Sequence, residues 1–124
     1  MRYYSEDHEW VEVIGDKAIT GITEFAAELI GNIHYVELPE EGNDLIIGDT
    51  LGVIESDDAE YDLYSPISGT VVAVNDSLED DPNLMVESPE QKGWICKFIN
   101  IDSSELNDMM NQEAYARYTR DLRK

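Results

Sequence analysis

The sequence predicts a mainly β fold: a sandwich or flattened barrel of antiparallel strands, with a short edge helix and a C-terminal helix. Strand-like apolar runs dominate the chain between Trp10 and Ile101, and Gly, Pro, Asn and Asp bound them. Helical periodicity behind a capping residue appears only after Thr23 and after Ser103. With 124 residues, 42% of them hydrophobic, the chain can bury one respectable core. Residues 1–124 therefore read as one domain with a helical extension over about 103–124.

Taken in order, Trp10 to Ile14 and Lys17 to Ile22 flank Gly15-Asp16, a pair suited to a tight hairpin turn. Thr23 can cap a helix over Glu24 to Ile30, whose Phe25, Ala26, Leu29 and Ile30 share one face, and Gly31 can end it. Ile33 to Leu38 reads as a strand, with His34 on the face of Val36 and Leu38. Pro39 to Gly42 reads as a turn and Leu45 to Ile47 as a short strand. A hairpin follows over Gly52 to Gly69, then a strand to Asn75, an acidic Pro-containing loop from Asp76 to Lys92, and a closing strand from Trp94 to Ile101. Ser103 or Ser104 can cap a last helix whose Leu106, Met109, Met110, Tyr115, Tyr118 and Leu122 form an apolar stripe, read as cover for the core. A short echo between Gly48-Asp49-Thr50-Leu51 and Ser68-Gly69-Thr70-Val71 fits two similar strand-turn units pairing in a flattened barrel.

Charge and cysteine usage bound the function. The chain carries 28 acids against 8 bases; Arg117, Arg120, Arg123 and Lys124 lie in the last eight residues, so residues 1–116 hold a net charge of −23. Such a surface repels phosphates and anionic lipid, which excludes nucleic acid and membrane as partners. The four terminal bases complement the negative end of a terminal helix. The single Cys96 rules out an internal disulfide and alternates with Trp94 and Phe98, so it reads as a core thiol. His8 and His34 read as structural. Apolar stretches are far shorter than the roughly 20 residues a membrane helix needs, and no signal or transit-like segment stands at Met1, so a bacterial cytoplasmic setting is expected.

The most informative segment is the hairpin tip, Glu55-Ser56-Asp57-Asp58-Ala59-Glu60, displayed between Gly52-Val53-Ile54 and Asp62-Leu63-Tyr64-Ser65-Pro66. It resembles the swinging-arm hairpin of lipoyl carriers, specifically the glycine cleavage system H-protein family, whose tip typically reads Glu-Ser-Val-Lys-Ala before Ser-Asp-Leu-Tyr-Ser-Pro. His8-Glu9-Trp10-Val11, Gly21-Ile22-Thr23, Gly31-Asn32-Ile33, Val36-Glu37-Leu38-Pro39, Val74-Asn75 and Gly93-Trp94 extend the resemblance over roughly residues 3–118. Val86 departs from it where the family usually has Asn. The resemblance implies a lipoyl-domain-like barrel-sandwich hybrid and a non-catalytic shuttle. In that family a lipoyl arm carries an aminomethyl group between the glycine decarboxylase (P), the aminomethyltransferase (T) and dihydrolipoamide dehydrogenase (L).

At the attachment position of that resemblance stands Asp58. A carboxylate supplies no amine for the lipoyl amide, so no lipoate cofactor is expected. No Lys or Arg occurs between Lys17 and Lys92, and Asp57, Glu60 and Tyr61 also depart from the family pattern, which reads as natural divergence rather than one engineered change. The implied partners are the P-, T- and L-proteins or a lipoate ligase or transferase, met by a docking or regulatory module. The alternative is a repurposed acidic interaction or weak metal-binding protein. Glu55 and Asp57 would share one face, and Asp58, Glu60 and Asp62 another if the chain stays extended. Yet no calcium-loop spacing is present, so no metal residues are assigned. A convex, water-exposed tip gives paired carboxylates no means of splitting their pKa values, so no catalytic residue is assigned either.

Overall fold

Hydrogen-bond pairing divides the strands into two antiparallel sheets in the computed structural model, which describes residues 1–123. The larger sheet contains β1 (Arg2–Tyr4), β2 (Glu9–Ile14), β3 (Lys17–Ile22), β5 (Asp44–Leu45), β8 (Gly69–Val74) and β9 (Cys96–Ile99), in the order β1-β2-β3-β9-β8-β5. The smaller is β4 (Ile33–Glu37), β6 (Thr50–Ser56) and β7 (Glu60–Tyr64), in the order β4-β6-β7. Val11, Val71, Cys96 and Phe98 from the first meet Val36, Ile54 and Leu63 from the second in one apolar layer, with Leu51 and Ile67 sealing it. The mainly β architecture is thus the expected one. Gly48–Leu51 and Ser68–Val71, the two echoing segments, lead into strands of different sheets and do not pair with each other.

The β2–β3 hairpin turns through Gly15-Asp16, with Ile14 opposite Lys17 and Gly15 at φ +63°. Trp10 lies on the outer face of this hairpin beside Gly21, where any Cβ would come within 2.8 Å of the indole. Its Nε1 donates to the Pro89 carbonyl at 3.0 Å. Tyr4 and Tyr115 complete a second, smaller apolar cluster on this outer face.

Helix α1 (Glu24–Ile30) begins where Thr23 Oγ1 accepts from the Ala26 amide and stops at Gly31, φ +78°. Its buried face is Ala26, Ala27 and Ile30, whereas Leu29, expected inside, is 66% exposed. Seven residues give too few turns for a broad apolar stripe, and the sheet takes up only one side.

β4 carries a register shift between Ile33 and Tyr35, so Ile33 and Val36 both point inward and His34 and Tyr35 both point out. His34 therefore does not share the inner face expected of it. The expected strand over Leu45 to Ile47 shrinks to Asp44–Leu45, because Asp49 accepts from the Ile46 amide and turns the chain, leaving Ile46 and Ile47 exposed. The closing strand runs only over Cys96–Ile99; Asn100, at φ +55°, ends its extended backbone. Two one-turn helices, α2 (Ser77–Asp80) and α3 (Leu84–Glu87), occupy the acidic segment read as loop, and each buries one apolar residue, Leu78 and Met85.

The C-terminal stripe is split. Asp102, not Ser103 or Ser104, caps a 3₁₀ turn over Ser103–Asp108; Met110 then exchanges backbone hydrogen bonds with Tyr4, and Asn111 caps α4 (Gln112–Leu122). Leu106 and Met109 pack on the main core, Met110, Tyr115 and Tyr118 join the cluster around Trp10, and Leu122 remains half exposed. Of the expected basic tail, Arg117 pairs with Glu113 and Arg123 with Glu28; Lys124 lies outside the described residues.

Gly52, in β6, backs directly onto the Glu37 carbonyl oxygen of β4, and a Cβ there would overlap that atom. Backbone cannot rotate aside as a side chain can. Gly52→Ala is expected to lower unfolding stability by about 3 kcal/mol, the upper end of overpacking costs, as measured by denaturant titration. An unchanged midpoint would show that β4 and β6 separate without cost.

Candidate functional site

The β6–β7 hairpin projects a three-residue loop, Asp57-Asp58-Ala59, beyond paired positions Ile54/Tyr61 and Glu55/Glu60. Ser56 organises the loop. Its Oγ accepts from the amides of Asp58 (3.3 Å) and Ala59 (3.2 Å) and donates to the Ala59 carbonyl, while its own amide bonds the same carbonyl at 2.9 Å. A short hydroxyl folding back on nearby amides is the usual means of fixing a tight turn.

Asp57 ties the loop to the start of β4. Its amide donates to the Asn32 carbonyl, its carboxylate accepts from Asn32 Nδ2 at 3.3 Å, and its other oxygen pairs with His34 Nε2. The His34 bond, then the Asn32 bond, holds the Asp57 carboxyl below the usual carboxylate range. Asp58 is exposed, and its carboxylate makes no hydrogen bond or ion pair among the described residues. The turn breaks the extended run that would have put Asp58 with Glu60 and Asp62. Instead Glu55 and Glu60 sit directly across from one another on the exposed face, with Asp62 two residues on. Among the described residues no three His, Cys, Asp or Glu side chains gather as a metal site requires.

At the other end of β7, residues Tyr61 to Tyr64 form one wall of a cleft of about 240 Å³, closed by His8, Ile22, Leu29 and Ile30. A second cleft, of about 250 Å³ and bounded by Ile47 and Met109, shares Asp7, Glu9 and Tyr64 with the first. Glu9 is 4% exposed. Its Oε1 accepts from Ser5 Oγ at 2.7 Å, and the Tyr64 backbone also hydrogen-bonds to it. Burial pushes its carboxyl up to about 7, with Asp7 adding to the rise and the Ser5 and Tyr64 bonds opposing it. Near neutral pH the group is therefore poised between acid and carboxylate, able to donate a hydrogen bond or to balance a cation. The sequence gives no sign of this role: Glu9 reads as one member of a signature, and only the fold reveals that Trp10 and Val11 draw it inside. The Cys96 thiol is fully buried, and burial pushes it up to about 12, so it is no nucleophile.

Glu9 gives stability a defined pH slope. Its carboxyl titrates higher in the folded chain than in the unfolded one, so the folded state binds more protons between about pH 4.5 and 7. The Glu9 contribution to stability is then fully present below that window and declines as pH rises through it. Subtracting the stability profile of Glu9→Gln from that of the parent should reveal this falling slope; parallel profiles would mean the carboxyl is not desolvated.

The chain is similar along nearly all its length to proteins of one kind. The family model described as glycine cleavage H-protein matches residues 2–122. A glycine cleavage system H protein of Thermoanaerobacter sp. (strain X514) is 47% identical over 116 residues, covering 94% of this chain and 91% of that protein. The one from Geobacillus thermodenitrificans is 45% identical over 113 residues, covering 91% and 89%. The crystal structure of a glycine cleavage system H protein from Mycobacterium marinum superposes with a TM-score of 0.84 at 31% identity, covering 95% of each chain. With two stacked antiparallel sheets, a displayed β6–β7 hairpin and this agreement from end to end, the chain belongs to the glycine cleavage H-protein family.

Proposed function

We propose that this chain is an H-protein-like module that cannot be lipoylated and acts in docking or regulation within the glycine cleavage system. One observation carries the reading: Asp58, at the outermost turn of the displayed hairpin, presents a free carboxylate where the family resemblance places the lipoyl-bearing lysine. An amide to lipoate needs a nucleophilic nitrogen, and a carboxylate has none. Around Asp58, Asp57 and Glu60 also depart from the family pattern, whereas Ala59 keeps it. The flanks Glu55-Ser56 and Asp62-Leu63-Tyr64-Ser65-Pro66 keep that pattern, and all of them but Ser65 and Pro66 lie in the strands of the hairpin.

The reading favours partners that recognise the hairpin and its flanks, namely the P-, T- and L-proteins or a lipoate ligase or transferase. Ser56 and Asp57 hold the backbone on either side of position 58 without using the Asp58 side chain. A lysine at this position would therefore be presented on the same turn.

The test is intact-mass spectrometry of the parent and of Asp58→Lys after incubation with a lipoate ligase, lipoate and ATP. A lipoyl adduct on the variant alone is the expected result, and means that the recognition surface persists without its acceptor. An adduct on the parent overturns the proposal. Modification of neither shows a tip beyond ligase recognition and favours the repurposed acidic protein instead.

A further inference from the structure

His8 sits in the β1–β2 connection at φ +68°, with its ring between the Phe25 ring of α1 (4.6 Å between centroids) and that of Tyr118 in α4 (5.9 Å). Its Nδ1 lies 2.9 Å from the Tyr115 hydroxyl, which lies 2.7 Å from Thr23 Oγ1. Thr23 is fully buried, and its Oγ1 already accepts from the Ala26 amide as the cap of α1. The direction of this chain is fixed by its buried end. Among the described residues the Thr23 hydroxyl hydrogen has one acceptor within reach, the Tyr115 oxygen; Tyr115 must then donate onward, and His8 Nδ1 must accept with a bare lone pair. That requires neutral His8 with its proton on Nε2. A proton on Nδ1 reverses the chain and leaves the Thr23 hydroxyl hydrogen buried without an acceptor, which costs more than forming the bond gained.

We propose that the Thr23–Tyr115–His8 chain is a protonation-controlled latch, which fastens α4 to the wall of the Glu9 cleft while His8 is neutral and loosens both when His8 takes a proton. His8 belongs to that wall, opposite Tyr61, Asp62 and Tyr64 of β7, so its release changes the cleft as well as the helix. The groups around it are few. Asp7 and Glu9 flank it in the chain, and Tyr115 and Tyr118 face it from α4. From α1 comes Phe25, over which the Arg123 guanidinium lies at 5.1 Å, itself bound by Glu28 at 2.9 Å. Burial lowers the His8 titration and Asp7 opposes it. In the loosened state His8 returns to its ordinary range near 6.5. The latch is therefore complete above that value and weakens as pH falls below it. Glu9 acts in the opposite sense, gaining stability on acidification, so the two effects separate by sign.

Two measurements on the parent chain decide the proposal: the ¹⁵N spectrum of the His8 ring, and amide hydrogen exchange of residues 112–122 from about pH 7.5 to about pH 5.5. The expected result is an Nε2–H tautomer at the upper pH. Opening of α4, corrected for intrinsic exchange, should rise about five- to tenfold as His8 titrates, the ratio for losing one buried hydrogen bond. His8→Asn tolerates the positive φ and keeps an acceptor near Nδ1; in it, α4 should stay protected at both ends of the range. The same step should persist in Glu9→Gln. An Nδ1–H tautomer at neutral pH, exchange in α4 that does not follow the His8 titration, or an equal step in His8→Asn would overturn the latch. Should His8→Asn fail to fold, the tautomer and the coincidence of the two titrations in the parent suffice.

Discussion

The first half of strand β2, Glu9 to Val11, is buried on both faces, and most of what is distinctive in the molecule follows from that constraint. Val11 enters the layer between the sheets, Trp10 enters the cluster beneath α4, and the residue before them, Glu9, is drawn in with them. Burying each apolar anchor contributes about 1.5–3 kcal/mol or more. Raising the Glu9 carboxyl from its ordinary value to about 7 costs on the order of 3 kcal/mol. The anchors equal or exceed that cost, so the carboxyl stays inside and is satisfied by Ser5 and the Tyr64 backbone rather than by a cation. The same strand positions the β1–β2 connection, and with it the His8 ring against α1 and α4.

The negative charge is tolerated because it stays outside this framework. A formal charge of −20 on 124 residues opposes compactness. Exposed carboxylates such as Glu55 and Glu60 nevertheless face water and counterions, where each like-charge contact costs only a fraction of a kcal/mol. The hairpin is fixed by other means: Gly52 lets β6 close on β4, Ser56 folds the loop, and Asp57 exchanges bonds with Asn32 and His34. None of these interactions involves the Asp58 side chain. The fold is accordingly indifferent to the side chain at position 58.

What the sequence makes legible is what short-range chemistry decides. The Gly15-Asp16 turn, the Thr23 cap, the Gly31 stop and the alternation of Cys96 with Phe98 are local signals, and each has its expected place. The features that differ are decided by distant contacts. His34 faces outward because β4 shifts register against β6, and the last helix breaks at Met109–Met110 because Tyr4 takes the Met110 backbone groups. α2 and α3 form in an acidic segment because Leu78 and Met85 find places in the core. At the tip the loop itself is legible, but the tether from Asp57 to Asn32 and His34 spans more than twenty residues and has no local mark. Glu9 is the extreme case: its chemistry arises wholly from burial, which no pattern of neighbouring residues encodes.

On the proposed reading, stability and recognition are divided between different groups of one short segment. Residues 52, 56 and 57 hold the hairpin, the flanks at 55 and 62–66 present its surface, and position 58 bears neither task. In a carrier whose loop conformation depended on the attachment residue, losing that residue would disturb the surface around it, and function would vanish with the cargo. Here the loop is closed by its own backbone and by Ser56, so the side chain at position 58 can change without altering the shape of the turn. On the proposed reading, that separation is what would let a chain of this family keep a docking surface without carrying a lipoyl group.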